Sequence, residues 1–362
     1  MVAGVKRAID EHGNRVGAYT VTLAEGDVPA FYDGPECQAR GQRYAQNPRI
    51  VAVIGTDRGP CAAYLVPALN RAGLAAISPT EATPGLTHEV PGHASIPDCY
   101  QCSPSFYPTG VRNYLRVVST IDSEGRAAAR LLFSLGSRRA FIVTNGEGFN
   151  TAWIALAFAA EARRIGLRVV GEAAYTPFFV PTYGSVAKRA ISARADAMLL
   201  MAPTLHDGSR VLKAVKAAGF QGRIVSSLSI TELVAGGSLM PHEPMFGPRE
   251  SQVNGVFFTW NQLPLEALPK TARDFVTRLG IDDNATDAVY AAEATNVLLD
   301  AIEASDGTRP GIRDQLFRVR RNGLLGRISF DANGDVQPQR IAIFRARGGR
   351  PVFLHTVTLH AN

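Results

Sequence analysis

The sequence predicts an α/β protein built on parallel sheets, and three observations carry that prediction. Short apolar, often β-branched runs recur along the chain, as in "IVAVIG" at 50–55, "AMLLMA" at 197–202 and "RIVSS" at 223–227. Segments with helical spacing separate them, and glycines such as Gly73 and Gly219 close several of these segments. The strands are apolar on both faces instead of alternating, which is the pattern of strands covered by helices on each side.

Taken in order, strand 50–55 leads into a helix over 61–73 and the strand "LAAIS" at 74–78. After a long loop come strand "YLRVV" (114–118), a helix over 123–135 capped by Asp122 or Ser123, strand "AFIVT" (140–144), a helix over 150–165 and strand "LRVVGEA" (167–173). A helix over 184–194, strand 197–202, a helix over 208–218 and strand 223–227 follow. The tail is β-like: "GRISF" (326–330), "RIAIF" (340–344) and "VFLHTVTL" (352–359), with the turn "DANGD" (331–335) between the first two. The alternation lapses over 79–112 and 229–254, where Gly, Pro and Ser crowd together. Loops of that length inside a compact chain are usually functional or flexible.

With 362 residues and 46% hydrophobic composition, the chain has enough apolar material for two packed lobes. No apolar run reaches the roughly 18 residues of a membrane span. The opening "MVAGVKRAIDEHGN" lacks the basic start, apolar stretch and cleavage site of a signal peptide. The net charge of +6 invites a nucleic-acid reading, but the basic groups at 137–140, 318–321 and 345–350 are scattered and lack interleaved aromatics. They read as solvated faces. Cysteines stand at 37, 61, 99 and 102, the last two forming a C-x-x-C among Pro97, Pro104 and Pro108 without the second pair of a zinc site. Counting leaves two readings open, disulfides in an oxidising compartment or small buried thiols in the cytosol.

Motifs for catalysis or cofactors fail one by one. "GTDRGPCA" (55–62) has the setting of a phosphate loop but not its Gly-Lys-Ser/Thr ending, and "TNGEGFN" (144–150) lacks the third glycine of a dinucleotide fingerprint. "HEVPGH" (88–93) spaces its histidines five apart, with Pro91 forbidding the helix that would align them, and reads as a polar loop. No G-x-S-x-G elbow and no acid pair placed for proton transfer occur. The expectation is a protein without catalytic residues, metal or cofactor. Open parallel sheets bind ligands beyond the carboxyl ends of their strands. There the sequence places "ISPTEATPGLT" (77–87), whose hydroxyls at Ser78, Thr80, Thr83 and Thr87, with nearby amides, suit a small anion or zwitterion. The same hydroxyls equally suit the capping of a turn.

Together these blocks resemble the branched-chain amino-acid (Leu/Ile/Val-binding-protein-like) type of ABC-transporter substrate-binding protein, of periplasmic-binding fold class I. The resemblance rests on "VAVIGTDRGPCAAYLVPALNRAGLAAISPTEATPGLT", "FYPTGVRNYLRVVSTIDSEGRAAARLL" (106–132), "DAVYAAEATNVLLDAIEASDGTR" (287–309) and "GLLGRISFDANGD" (323–335), in that order and at similar distances. It implies two Rossmann-like lobes, 1–120 with 261–328 and 121–260 with 329–362, joined by crossovers near 120, 260 and 328 and closing over a ligand by hinge motion. It implies an ABC-transporter permease as partner, a periplasmic or extracytoplasmic location, membrane contact only through that permease or an N-terminal anchor, and no nucleic acid. Cys37 and Cys61 match a disulfide of some members, which moves the cysteine reading towards an oxidising compartment. Members open with a central strand before the first helix. Here the chain begins within that helix, so the resemblance implies a strand and an export signal encoded upstream of Met1.

Ligand positions carry over residue by residue. In the loop after "IG", Asp57 adjoins the site and the family's hydroxyl position falls on Gly59, whose amide still donates. The backbone-carbonyl position falls on Thr80, and the threonine that clasps a ligand carboxylate falls on Ala82, with Thr83 beside it. In the second lobe the aromatic positions fall on Phe149 and Pro203, and the acid that pairs with a ligand ammonium falls on Leu228. An α-amino acid needs partners for both charges, so these departures weigh against a leucine-like ligand unless Glu81 supplies the acid. The expected wall is therefore Ser78, Thr80, Glu81 and Thr83, with apolar support from Phe149 and Leu228. A ligand-sensing domain of a signalling protein is the second reading, because the same two-lobed fold serves there, and an enzyme is the third.

Overall fold

The computed structural model describes residues 1–26, 34–56, 59–90, 92, 105–145, 149–176, 180–201, 205–227, 253–281, 285–348 and 350–360. The chain opens with helix α1 (Val2–Glu11), a small hairpin of β1 (Arg15–Val16) and β2 (Tyr19–Thr20), and helix α2 (Gly34–Gln46). Strand β3 (Ala52–Ile54), helix α3 (Gly59–Arg71), β4 (Ala75–Ser78) and β5 (Tyr114–Arg116) follow. β3, β4 and β5 form a parallel three-stranded sheet in that order. β4 and β5 are buried at every residue, as strands apolar on both faces require. A disulfide between Cys37 and Cys61 fastens α2 to α3, so the pairing implied by the resemblance is present. Cys99 and Cys102 lie outside the described residues.

The chain then enters a second sheet. Helix α4 (Ile121–Ser134), β6 (Arg139–Thr144), α5 (Phe149–Ile165), β7 (Arg168–Ala174), α6 (Val180–Ser192), β8 (Ala197–Leu200), α7 (Leu205–Ala217), β9 (Arg223–Ser227) and β10 (Phe257–Trp260) alternate along it. From β10 the chain returns through α8 (Lys270–Leu279), α9 (Ala285–Glu303) and α10 (Arg309–Leu316). It then runs through β11 (Arg320–Gly323), β12 (Gly326–Phe330) and β13 (Val336–Gln337), which form a small antiparallel sheet. It crosses a third time to end in β14 (Gln339–Arg347) and β15 (Arg350–Leu359). The larger sheet has the order β15-β14-β10-β9-β8-β6-β7, parallel from β10 to β7 and antiparallel at β14 and β15.

The sequence reading placed most of these elements within a few residues. It assigned no element to α2, α8, α10, β1, β2, β10, β11 or β13. β10 is only four residues of aromatic-rich chain, "FFTW", between two stretches crowded with turn formers. The predicted cap of α4 needs correction. Thr120 is the residue that precedes the helix, while Asp122 and Ser123 lie inside its buried first turn, because the side chains there are turned to other partners. α4 packs along α5, and Gly125 marks their close approach. Ala127, Ala128 and Ala129 are fully buried and, being small, crowd the helix little on any side. At Gly125 a Cβ would stand 2.1 Å from the carbonyl oxygen of Ile154.

That approach generates a prediction. Gly125→Ala forces α4 and α5 apart and should destabilise the protein by about 1–3 kcal/mol despite alanine's better helix propensity. Urea unfolding measures it, and an alanine variant as stable as the parent would contradict the packing described.

Candidate functional site

β3 and β4 end side by side, and their loops are stitched together at Ser78. The Ser78 hydroxyl donates to the carbonyl of Thr56 and accepts from the amides of Glu81 (2.9 Å) and Thr80 (3.3 Å). Glu81 turns back on its own loop, its carboxylate accepting from the amide of Thr83 at 2.7 Å. A 3-10 turn at Pro84–Leu86 then leads to Thr87 and His88. Ser78, Glu81 and Thr83 are buried, at 0%, 4% and 7% exposure, whereas Thr80 and Ala82 are half-buried. Glu81 is thus neither a solvated loop glutamate nor an acid standing free at the strand ends. It shapes the loop.

The loop is held from below by Arg116, the last residue of β5, which is fully buried. One guanidinium nitrogen, Nη1, donates to the carbonyls of Glu81 (3.0 Å) and Thr83 (2.8 Å), Nη2 donates to the Thr87 hydroxyl at 2.7 Å, and Nε stands 2.9 Å from Asp335. Burial works against the charge of Arg116, but the carboxylate of Asp335 outweighs it and raises the guanidinium's pKa. Asp335 is itself buried, yet Arg116 and His88 hold its pKa below the usual carboxylate range. His88 bridges two acids, with Nδ1 at 2.7 Å from Asp335 and Nε2 at 3.3 Å from Asp122. Burial opposes its protonation, but Asp122 and Asp335 together push its pKa up to about 10. Burial likewise opposes the charge of Asp122, and the imidazolium of His88 lowers its pKa in return.

Three connections between the sheets converge beside this network. The Ser119 hydroxyl donates to the carbonyl of Arg340 and accepts from its amide, at 3.0 and 2.8 Å, while the Ser119 carbonyl accepts from Asn261 at 3.1 Å. The Gln339 side chain accepts from the amide of Thr120 at 2.8 Å. Residues 119–120, 261 and 339–340 belong to the first, second and third connections, so the crossings are bonded to one another. The candidate loop joins them directly, since the amide of Ile121 donates to the carbonyl of Ala82 at 2.9 Å.

Of the residues expected in the site, Ser78 ends β4 and Thr80, Glu81, Ala82 and Thr83 lie together in the loop that follows it. Gly59 opens α3, so its amide is among those without an intrahelical partner. Phe149 opens α5, its side chain outside the described set. Asp57, Pro203 and Leu228 lie outside the described residues. An open groove of about 670 Å³ between β7 and α6, lined by Gly171, Ser185, Lys188 and Arg189 among others, contains none of the expected residues. Sequence reasoning missed Arg116, Asp335, His88 and Ser119. Arg116 sits in the apolar run "YLRVV", where a lone arginine in a buried strand signals a buried partner.

A model of the periplasmic binding protein family matches residues 1–350. The chain belongs to that family. Among solved structures, an ABC-transporter substrate-binding protein of Desulfitobacterium hafniense in complex with leucine is similar at a TM-score of 0.75 and 20% identity, over 98% of this chain and 95% of that one. A leucine binding protein of Thermotoga maritima matches at 0.71 and 20% identity, covering 98% and 93% of the two chains. A solute binding protein of Rhodopseudomonas palustris HaA2 in complex with p-hydroxybenzoic acid matches at 0.73 and 16%, covering 99% and 92%. At these identities the likeness establishes the fold, the class I periplasmic-binding arrangement the sequence resembles. A comparison with curated protein sequences finds no match. The family is one of binding proteins, not enzymes, and places the chain in an extracytoplasmic compartment. No helix among the described residues is long and apolar enough to cross a membrane.

The pKa of His88 generates a prediction. Its folded value of about 10 exceeds an unfolded value near 6.5, so its contribution to stability is complete below about pH 6.5 and is lost as pH rises through about 10. The stability difference between the parent and His88→Gln, measured by urea unfolding, should therefore be largest near pH 6. It should shrink by an amount on the order of 2–4 kcal/mol by pH 10.5. A difference independent of pH over that span would remove the imidazolium from the network.

Proposed function

We propose that the chain is the substrate-binding component of an ABC transporter, holding a small polar ligand in a cleft between two lobes that close on a hinge. The lobes we propose are residues 1–120 with 261–337 and 121–260 with 338–362: β13 pairs with β12 in the small sheet and Asp335 bridges to Arg116, so the third crossing falls between β13 and β14 instead of near 328. The ligand class is an amino acid, an amide or a related organic acid, and the partner is a membrane permease. The observation that carries this reading is the bonding of all three inter-sheet connections around Ser119 next to a loop of hydroxyls at strand ends. Such an arrangement lets two bodies rotate about a narrow polar seam while the loop between them meets a guest. Relatives that hold leucine or p-hydroxybenzoic acid support a ligand bearing a carboxylate, which amides at the start of α3 and the hydroxyl of Thr80 suit. In this reading Ser78 and Glu81 fix the shape of the loop, while Thr80 and Thr83, with the Gly59 amide, face the ligand. Phe149, Pro203, Leu228 and Asp57 are kept as ligand-side positions on the strength of the sequence resemblance alone.

A thermal-shift panel of leucine, isoleucine, phenylalanine, their amides, benzoate, p-hydroxybenzoate and short-chain acids tests the reading. One chemical class should stabilise the protein, by about 2.7 kcal/mol at a hundred times its dissociation constant. X-ray scattering should report contraction with the same compound. Thr80→Val should weaken that compound at least tenfold by calorimetry, about 1.4 kcal/mol, without lowering thermal stability. A panel without a binder, or a binder that leaves the scattering unchanged, would overturn the proposal.

A further inference from the structure

The motif "HEVPGH" went unused in the sequence reading, yet its first histidine lies where the two bodies meet. Asp335 belongs with the three-stranded sheet: it forms an isolated bridge with Arg116, the carbonyl of Gly334 accepts from the Arg116 amide at 3.0 Å, and Arg116 holds its carboxylate. Gly334 has φ +94°, and a Cβ there would stand 2.1 Å from the carbonyl oxygen of Tyr114, so the turn is pressed onto β5. Asp122 belongs to the other body, in the first turn of α4, which packs against β9, β10 and β14 of the seven-stranded sheet. His88 reaches both. A neutral imidazole carries one N–H and can donate to only one of two carboxylates, whereas the protonated ring donates to both.

We propose that His88 is a positioning residue for lobe closure, its doubly donating ring clasping Asp122 of the second body to the Asp335–Arg116 pair of the first and so setting the resting angle of the hinge. The contacts are graded accordingly. His88 lies 2.7 Å from Asp335, on its own side, and 3.3 Å from Asp122, across the seam. The longer contact is the one that rotation of α4 stretches. The charged groups around the ring are Asp122 on α4, Asp335 on the turn after β12 and, behind Asp335, Arg116 on β5. Arg126, one turn further along α4, interacts with Asp122 in turn. Because Arg116 also holds the carbonyls of Glu81 and Thr83, any shift of Asp335 is passed to the loop wall. The inference rests on the two-lobed reading of the function but needs no ligand for its test.

The test compares the ligand-free parent with His88→Gln, Asp122→Asn, the double variant and His88→Arg, by hydrogen exchange of amides at 117–120, 336, 337, 339 and 340 and by X-ray scattering. His88→Gln and Asp122→Asn should each speed exchange at those amides at least tenfold and broaden the scattering-derived size distribution. The double variant should go no further than either single one, because both break one contact. Exchange in β8 should stay at the parental rate, which separates loss of the clasp from general loosening. His88→Arg, a permanent cation with donors for both acids, should restore the parental pattern. Additive effects, parental exchange in both single variants, or failure of arginine to rescue would overturn the proposal. A ligand that binds without contracting the protein would count against hinge closure and leave these ligand-free results standing.

Discussion

The structure around the site depends on one buried ion pair, Arg116 with Asp335, exposed at 0% and 2%. Removing two charges from water costs several kcal/mol per ion, so such a pair survives only where its remaining donors and acceptors are occupied. Here most of them are. Arg116 donates from Nη1 and Nη2 to two loop carbonyls and a hydroxyl and faces Asp335 with Nε as an ion pair at 2.9 Å, and Asp335 accepts from Thr87 and pairs with His88. Apolar residues of the same volume would fill the space equally well. They would not fix where the carbonyls of Glu81 and Thr83 lie, and that placement gives the loop after β4 a single shape.

This explains why a loop so rich in hydroxyls presents so few of them. Ser78 lies at the end of a fully buried strand, where its hydroxyl replaces the hydrogen bonds that the strand can no longer supply to Thr56, Thr80 and Glu81. Thr87 stands between Arg116 and Asp335 in the same role. Polar residues at the end of a parallel strand therefore divide between those that build the loop and those left for a guest.

Much of the fold was legible because its cause is local. β8 is a continuous apolar run and β9 is built on the β-branched pair Ile224–Val225, and the helices between strands carry their own spacing and glycine stops, so local pattern locates them. α2 escaped because Gly34 and Pro35 open it and few of its residues are buried. β10 escaped because four residues carry no period of their own. The loop wall was legible as a place but not as a set of roles. The partner that decides the role of Thr87 is 248 residues away along the chain, and no spacing rule reaches that far. Glu81 shows the same limit: its sequence neighbours suggest a solvated loop, and only packing against β5 turns its carboxylate inward.

The seam between the sheets is polar for a physical reason. Ser119, Thr120, Asn261 and Gln339 meet there through hydrogen bonds, each worth a net 0.5–1.5 kcal/mol and each replaceable by water during a rotation. An apolar seam of the same size would resist opening, since every exposed Å² would cost about 25 cal/mol. Apolar packing continues beside the seam: Leu115, Val117 and Val118 share one buried cluster with Phe141, Val143 and Phe258 of the larger sheet, while Ile121 packs in the cluster of α4 and α5. The hydrogen bonds at Ser119 and Thr120 are the exchangeable part of that junction. Within that seam the His88 contacts differ in kind, because they join charges with little access to water. In the hinge proposed above, an ionic clasp beside exchangeable hydrogen bonds would favour one angle without making the junction stiff.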